Sequence, residues 1–400
     1  METVLFQTIF GIVFLVIIAK IAGKLCSKIG ISEIIGYILV GMVLGSNVLV
    51  ETLPFITMPF SENEMIESAW MVSGIVILFS AGLHFTFADL KRVGYRAVII
   101  GVTGLLVPLF CGFSIANLLG YDWVVALIIG GASSPTSIAI TFSVLKKINK
   151  ISTFEGKTAV NSALIDDVLG LAMLSTIVTA MTLQTIPNVV SLSSLLVTQV
   201  GFWFALLLGA VFFLPRIMRF FEKYRRDSLK IKTASKTVAL SSAFSFSAIA
   251  VALGLNPILG SFAAGMGIAE SKSFIVQIKN FVSKLNLVFI PLFFAYIGTL
   301  VDPMSILTIN PIMFVILFVI AILSKFGGCG IISSILLKNK LKGFQIGATM
   351  IPRGEIAFII IGTALTIGIL NAEIYSTLVF VTLGTILISP RIIRLMFKKT

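Results

Sequence analysis

Thr158-Ala-Val-Asn-Ser-Ala-Leu-Ile-Asp-Asp-Val-Leu-Gly-Leu-Ala-Met173 sets two adjacent aspartates, Asp166 and Asp167, in the middle of an apolar helical stretch. Ionised carboxylates at mid-bilayer depth cost several kcal/mol, so they mark ion or proton pathways. The surrounding chain argues that this depth is a bilayer. Of its 400 residues 58% are hydrophobic, and the mean hydropathy is +1.09. Such a composition belongs to a polytopic membrane protein and not to a soluble domain.

Thirteen apolar stretches are long enough to span, at about 2–22, 31–50, 66–88, 95–119, 123–146, 155–183, 190–218, 233–253, 257–272, 283–301, 311–337, 342–370 and 373–396. The expected fold is therefore all-α and polytopic, with 13 transmembrane helices. The net charge of +13 does not point to nucleic acid, because 28 of the 30 Lys and Arg fall at alternate connections between spans. Lys20, Lys24 and Lys28 follow the first span, Lys146, Lys147, Lys150 and Lys157 the fifth, and eight lie between Arg216 and Lys236. The intervening connections hold acids such as Glu64, Asp122 and Glu373. By the positive-inside rule the N-terminus is outside and the C-terminus cytoplasmic, in a cell membrane crossed many times. The first span has no basic segment before it, which reads as an uncleaved anchor. Cys26, Cys111 and Cys329 form neither a disulfide framework nor a metal spacing. The run from Arg216 to Lys230 reads as a helix extension facing lipid headgroups.

Spans 4–6 and 11–13 are an odd number of helices apart and so run in opposite directions, the pattern of inverted repeats in transporters. The middle span of each triplet carries a break signal: Gly130-Gly-Ala-Ser-Ser-Pro135-Thr136 in one, Gly347-Ala-Thr-Met-Ile-Pro352-Arg-Gly354 in the other. Proline removes a helix hydrogen bond and clashes one turn back. Freed backbone groups at this depth must be buried in protein or face a water-filled cavity. Two broken helices that cross are therefore expected. Adjacent helical residues point about 100° apart, so Asp166 and Asp167 need not share one partner.

Apart from the aspartates, the deep charges are Lys325, Arg353 and Glu355. Lys325 lies within Leu323-Ser-Lys-Phe-Gly-Gly-Cys-Gly330, whose glycines would let other helices approach. One lysine cannot neutralise two aspartates, so a purely structural ion pair leaves a carboxylate to bind a proton or a cation. Arg353 keeps its charge and reads as fixed electrostatics, offsetting a half-helix C-terminal dipole. Glu355 either pairs with Arg353 or lines the pathway. The hydroxyls of Ser133, Ser134, Thr136 and Ser137 either ligate a hard cation or satisfy the break. His84, the sole histidine, lies near the end of the third span.

In order along the chain, Ile35-Gly-Tyr-Ile-Leu-Val-Gly41, Leu78-Phe-Ser-Ala-Gly-Leu83, Gly131-Ala-Ser-Ser-Pro-Thr136, Ile165-Asp-Asp-Val-Leu-Gly170, Leu255-Asn-Pro-Ile-Leu-Gly-Ser-Phe-Ala-Ala-Gly265, Ile290-Pro-Leu-Phe-Phe294, Lys325 and Pro352-Arg-Gly-Glu355 form one pattern. By it the chain resembles the monovalent cation:proton antiporter-2 family, and within that the double-aspartate sodium/proton antiporters. The resemblance implies the sodium/proton antiporter fold and exchange of Na⁺, or Li⁺, for H⁺ by a transporter and not an enzyme, with no cofactor. It implies that Asp167 is the principal Na⁺-binding carboxylate, with Asp166 its partner and paired to Lys325. It places Thr136 and Ser134 near the ion, with Pro135 and Pro352 at the breaks and Arg353 and Glu355 compensating charge. A double aspartate goes with electrogenic exchange of more than one proton per sodium.

The family's architecture implies a homodimer. It divides this chain into 1–94 (helices 1–3, dimerisation), 95–189 (helices 4–6, core transport), 190–232 (helix 7 and basic linker), 233–310 (helices 8–10, dimerisation) and 311–400 (helices 11–13, core transport). His84 stands where the family often has Glu. The chain closes after its last span without a nucleotide-binding domain, and the doublet is not Gln-Asp. Both features read against the glutathione-gated potassium branch. The alternatives are a K⁺/H⁺ antiporter or a sodium-coupled organic-anion symporter of similar fold. An intramembrane aspartyl protease needs its aspartates on separate helices, and a channel needs far faster turnover.

Overall fold

A computed structural model describes residues 2–45, 64–87, 94–182, 189–224, 228–271, 274–301 and 309–398. Among these residues the secondary structure is entirely helical. Among the described residues, eight helices are long and apolar enough to cross a membrane, and four shorter ones are apolar. The chain divides into two compact units, one of Met1–Arg92 with Thr185–Leu300, the other of Val93–Gln184 with Val301–Thr400.

The first unit contains α1 (Glu2–Lys28), α2 (Glu33–Leu44) and α3 (Glu64–Gly82), with α8 (Val189–Tyr224), α9 (Ser228–Ala252), α10 (Pro257–Ala269) and α11 (Ile275–Thr299) from later in the chain. Asn256 starts α10 by accepting from the N–H of Ile258, and Pro257 fills the first turn, where no donor is needed. At the α2–α11 crossing a Cβ on Gly41 would run into the carbonyl of Ala295, so the two backbones pack directly. Trp70 on α3 stacks on Phe293 of α11 and meets Tyr296 of the same helix at a tilt, with ring centroids 5.8 and 5.5 Å apart. The basic extension expected after the seventh span is helical over its described residues, to Tyr224 in α8 and from Ser228 in α9, while 225–227 lie outside the described residues.

The second unit contains α4 (Tyr95–Leu118), α5 (Trp123–Ala132), α6 (Ile138–Lys147), α7 (Phe154–Thr182), α12 (Pro311–Leu337), α13 (Lys340–Thr349), α14 (Glu355–Thr366) and α15 (Ala372–Lys398). The stretches expected as broken spans are each two helices. Asp122 caps α5, which stops three residues before Pro135; α14 begins three residues after Pro352.

The two interruptions meet. The N–H of Ser137 donates to the carbonyl of Pro352 at 2.7 Å, and the hydroxyl of Thr141 to that of Thr349 at 2.6 Å. Each break therefore satisfies backbone groups the other leaves open.

Contacts at the ends of this unit fix which helix ends share a face. Glu155, in the first turn of α7, pairs with Lys342 at the start of α13 (2.7 Å). Gln345 donates to the carbonyl of Met396 near the end of α15 (3.2 Å). At the other end, the Tyr121 hydroxyl before α5 meets the sulfur of Met313 in the first turn of α12 (2.8 Å). The Glu155–Lys342 and Tyr121–Met313 pairings agree with the alternation of basic and acidic connections.

Candidate functional site

Lys325 sits near the middle of α12 and is fully buried, as is Asp166 on α7; their ammonium and carboxylate are 2.8 Å apart. The same ammonium donates to the hydroxyl of Thr136 at 2.8 Å, and Thr136 donates onward to the carbonyl of Met350 at 3.2 Å. One lysine thus joins three structures: the helix with the aspartates, the first break through Thr136, and the second break through Met350. Two buried charges persist in such a place only with close partners. Asp166 Oδ1, the other carboxylate oxygen, has no hydrogen-bond partner among the described residues.

Small residues create the room. Gly104 on α4 lies beside the ammonium, where a Cβ would stand 3.3 Å from Lys325 Nζ and 3.2 Å from Cys329 Sγ. Gly170, one turn beyond the aspartates, lets Pro135 of the first break rest on α7, 3.3 Å from where its Cβ would be. Of the glycines around Lys325, Gly328 receives Val107 of α4 and Gly330 receives Phe344 of α13. Gly327 faces open space, so the expectation that it admits a neighbour does not hold.

The other candidates are placed as follows. The side chain of Asp167 lies outside the described residues; its backbone is helical, beside Asp166. Ser134 is buried, and its hydroxyl reaches the carbonyls of Leu105 (3.0 Å) and Gly130 (2.9 Å). That geometry satisfies the break and leaves only the oxygen lone pairs for a cation. Arg353 is buried and reaches α12, where Nη2 donates to the carbonyl of Ala321 at 2.6 Å, one turn before Lys325. It therefore braces α12. Glu355 is half-buried, and no ion pair joins it to Arg353 among the described residues. His84 is exposed, with Nδ1 2.8 Å from the carbonyl of Ser80.

Sequence reasoning missed Gly104, Thr141, Thr349 and Met350. Gly101 and Gly104 stand three apart on α4, a small-residue spacing that signals a close helix approach, though not to which helix. Thr141 and the carbonyls of Thr349 and Met350 carried no signal, because they matter only where the two breaks cross.

A profile of the "sodium/hydrogen exchanger, transmembrane" family matches residues 12–399. The chain is 30% identical over 390 residues to a Na⁺/H⁺ antiporter of Enterococcus hirae, covering 97% of this chain and 98% of the relative. It is 28% identical to the Na⁺/H⁺-K⁺ antiporter GerN of Bacillus cereus, covering 98% and 97%. The fold matches the structure of the sodium proton antiporter MjNhaP1 of Methanocaldococcus jannaschii with a TM-score of 0.76, over 100% of this chain and 99% of the other at 16% identity.

Proposed function

The chain belongs to the sodium/hydrogen exchanger family of multi-pass membrane transporters, and from that premise we propose that it exchanges Na⁺ for H⁺ at the site around Asp166, Asp167 and Lys325. The observation that carries this reading is the fully buried Lys325–Asp166 pair, held against two crossing helix breaks. A buried lysine balanced between desolvation and a carboxylate can lose its proton when its partner is recruited elsewhere. Asp167 stands next to that partner on the same helix.

The proposed mechanism is competition. Sodium binds at Asp167, with oxygens of Asp166, Thr136 and Ser134 available to complete its shell. Drawing Asp166 toward the cation weakens the Lys325 pair and releases a proton. An empty charged site is costly to carry across the barrier, so only occupied states cross and each ion drives the other. On this reading the chain is of the double-aspartate kind and its exchange is electrogenic. It is a homodimer in the cell membrane, with N-terminus outside and C-terminus cytoplasmic. The unit of Val93–Gln184 and Val301–Thr400 is the moving core; the unit of Met1–Arg92 and Thr185–Leu300 is the dimerisation scaffold.

The test is reconstitution in liposomes with an internal pH dye and an imposed proton gradient. Addition of Na⁺ or Li⁺ is expected to move protons, and Asp167→Asn to abolish that movement. Retained exchange in the folded variant overturns the site. Proton movement with K⁺ alone makes the protein a K⁺/H⁺ antiporter. Sodium-driven uptake of an organic anion without proton movement makes it a symporter.

A further inference from the structure

The face of α7 below Asp166 is more polar than a membrane core requires. Glu155, Thr158, Ser162 and Asp166 follow one another at steps of three, four and four residues, which puts all four within one helix face. All four are buried, at 8, 8, 0 and 0% exposure. Their neighbours on the same side, Ala159 and Ala163, share an apolar cluster with Ile100 of α4 and Ile346 of α13. Burying a stripe of hydroxyls and carboxylates in such a cluster costs free energy wherever a group lacks a hydrogen bond or an ion partner.

The hydrogen bonds of the stripe leave it open. Thr158 donates its hydroxyl proton to the carbonyl of Phe154 at 2.8 Å, which leaves its oxygen able to accept. Ser162 Oγ and Asp166 Oδ1 are both without a hydrogen-bond partner among the described residues. At the outer end Glu155 meets Lys342 on the face where α7 and α13 begin, the basic face. Successive rungs are about 4.5–6 Å apart along the axis, a gap that one or two waters would bridge. At Ser162 the backbone of α4 packs directly on α7, where a Cβ on Gly101 would stand 2.8 Å from the Ser162 carbonyl.

We propose that this stripe is a proton route, separate from the path of sodium, that connects the Asp166–Lys325 pair to the basic face through Ser162 and Thr158, with Glu155 as the proton-loading carboxylate. A proton taken up by the Glu155 carboxylate is handed to a water. Each hydroxyl oxygen then accepts one proton and gives up its own, the last O–H bond forms on Asp166, and Asp166 passes that proton to the Lys325 amine 2.8 Å away, which restores the ion pair. No other bond changes, and water is the only co-reactant. A sodium ion cannot follow, because a hard cation needs several oxygens at once and Ser162 and Thr158 each offer a single hydroxyl.

The inference rests on the antiporter reading, and its test separates the two. In proteoliposomes of the full chain, ²²Na⁺/Na⁺ exchange needs no proton transfer, whereas sodium-driven proton movement does. Ser162→Ala and Thr158→Val are expected to slow proton movement by about tenfold, the rate equivalent of one lost hydrogen bond to a moving charge. Sodium–sodium exchange should stay at the wild-type rate. Glu155→Gln should behave like them, whereas Lys342→Gln, which breaks the same ion pair but keeps the carboxylate, should not. Wild-type proton movement in Ser162→Ala, Thr158→Val or Glu155→Gln overturns the route, as does loss of both exchanges together in any of the three. A wild-type protein that performs neither exchange overturns the antiporter reading and the route with it.

Discussion

Lys325 holds two hydrogen bonds at 2.8 Å in a place with no exposure, and their removal separates stability from transport. Stripping one partner from a buried ion pair typically costs about 3–5 kcal/mol. Lys325→Ala should therefore lower thermal stability in detergent. Lys325→Ala with Asp166→Asn should recover much of that loss, since no charge is then left unpaired. Recovery of less than half would mean that the pair is not the main stabilising contact of Lys325. Where the variant still inserts, its exchange should lose voltage dependence, read as a flat response to an imposed potential. Gly104 is tested by volume. Gly104→Ala asks its neighbours to give by a few tenths of an ångström and should leave most activity, whereas Gly104→Leu should abolish it. These charges were legible one by one in the sequence, because a titratable residue in an apolar span is conspicuous. Their pairing was only half legible. Lys325–Asp166 was expected, whereas the reach of Arg353 to Ala321 was not, because a long side chain chooses among carbonyls that only the packed helices present.

At the scale of elements, the two interruptions are the device that positions the site. Proline and glycine in mid-span announced both, and the helices stop and restart around Pro135 and Pro352. Their mutual hydrogen bonds were not announced, since backbone donors and acceptors look alike in every sequence. Thr141→Val removes the bond across the breaks to Thr349 at 2.6 Å. It should cost about 1 kcal/mol, measured as a lower unfolding temperature. Exchange should fall with it if the crossing must stay rigid. An unchanged unfolding temperature would show that the crossing does not depend on this bond. The predicted core of α7 also proved more polar on one face than its apolar reading implied, because threonine and serine pass unnoticed in a hydrophobic window.

For the whole molecule, alternation of basic and acidic connections predicts which helix ends share a side, and contacts within one unit agree with it. Tyr121 meets Met313, and Glu155 meets Lys342. In a background without Cys26, Cys111 and Cys329, cysteines placed at Tyr121 and at Lys340 should label from opposite sides. A membrane-impermeant maleimide should reach the first in intact cells and the second only after permeabilisation. The reverse pattern would invert the assigned orientation. The division into two units assembles each from distant stretches of chain, a grouping that hydropathy cannot display because it is local along the sequence.

The sequence by itself determined the class of this protein: its helical membrane architecture, its broken spans and its few deep charges. Each of these follows from local composition and from the cost of placing charge or proline in hydrocarbon. Tertiary structure decided which partners those groups took. It set Thr136 between Lys325 and Met350, joined the two breaks through Ser137 and Pro352, and turned the polar face of α7 inward. Those choices depend on helices far apart in sequence meeting at set angles and depths, and packing alone fixes where they meet.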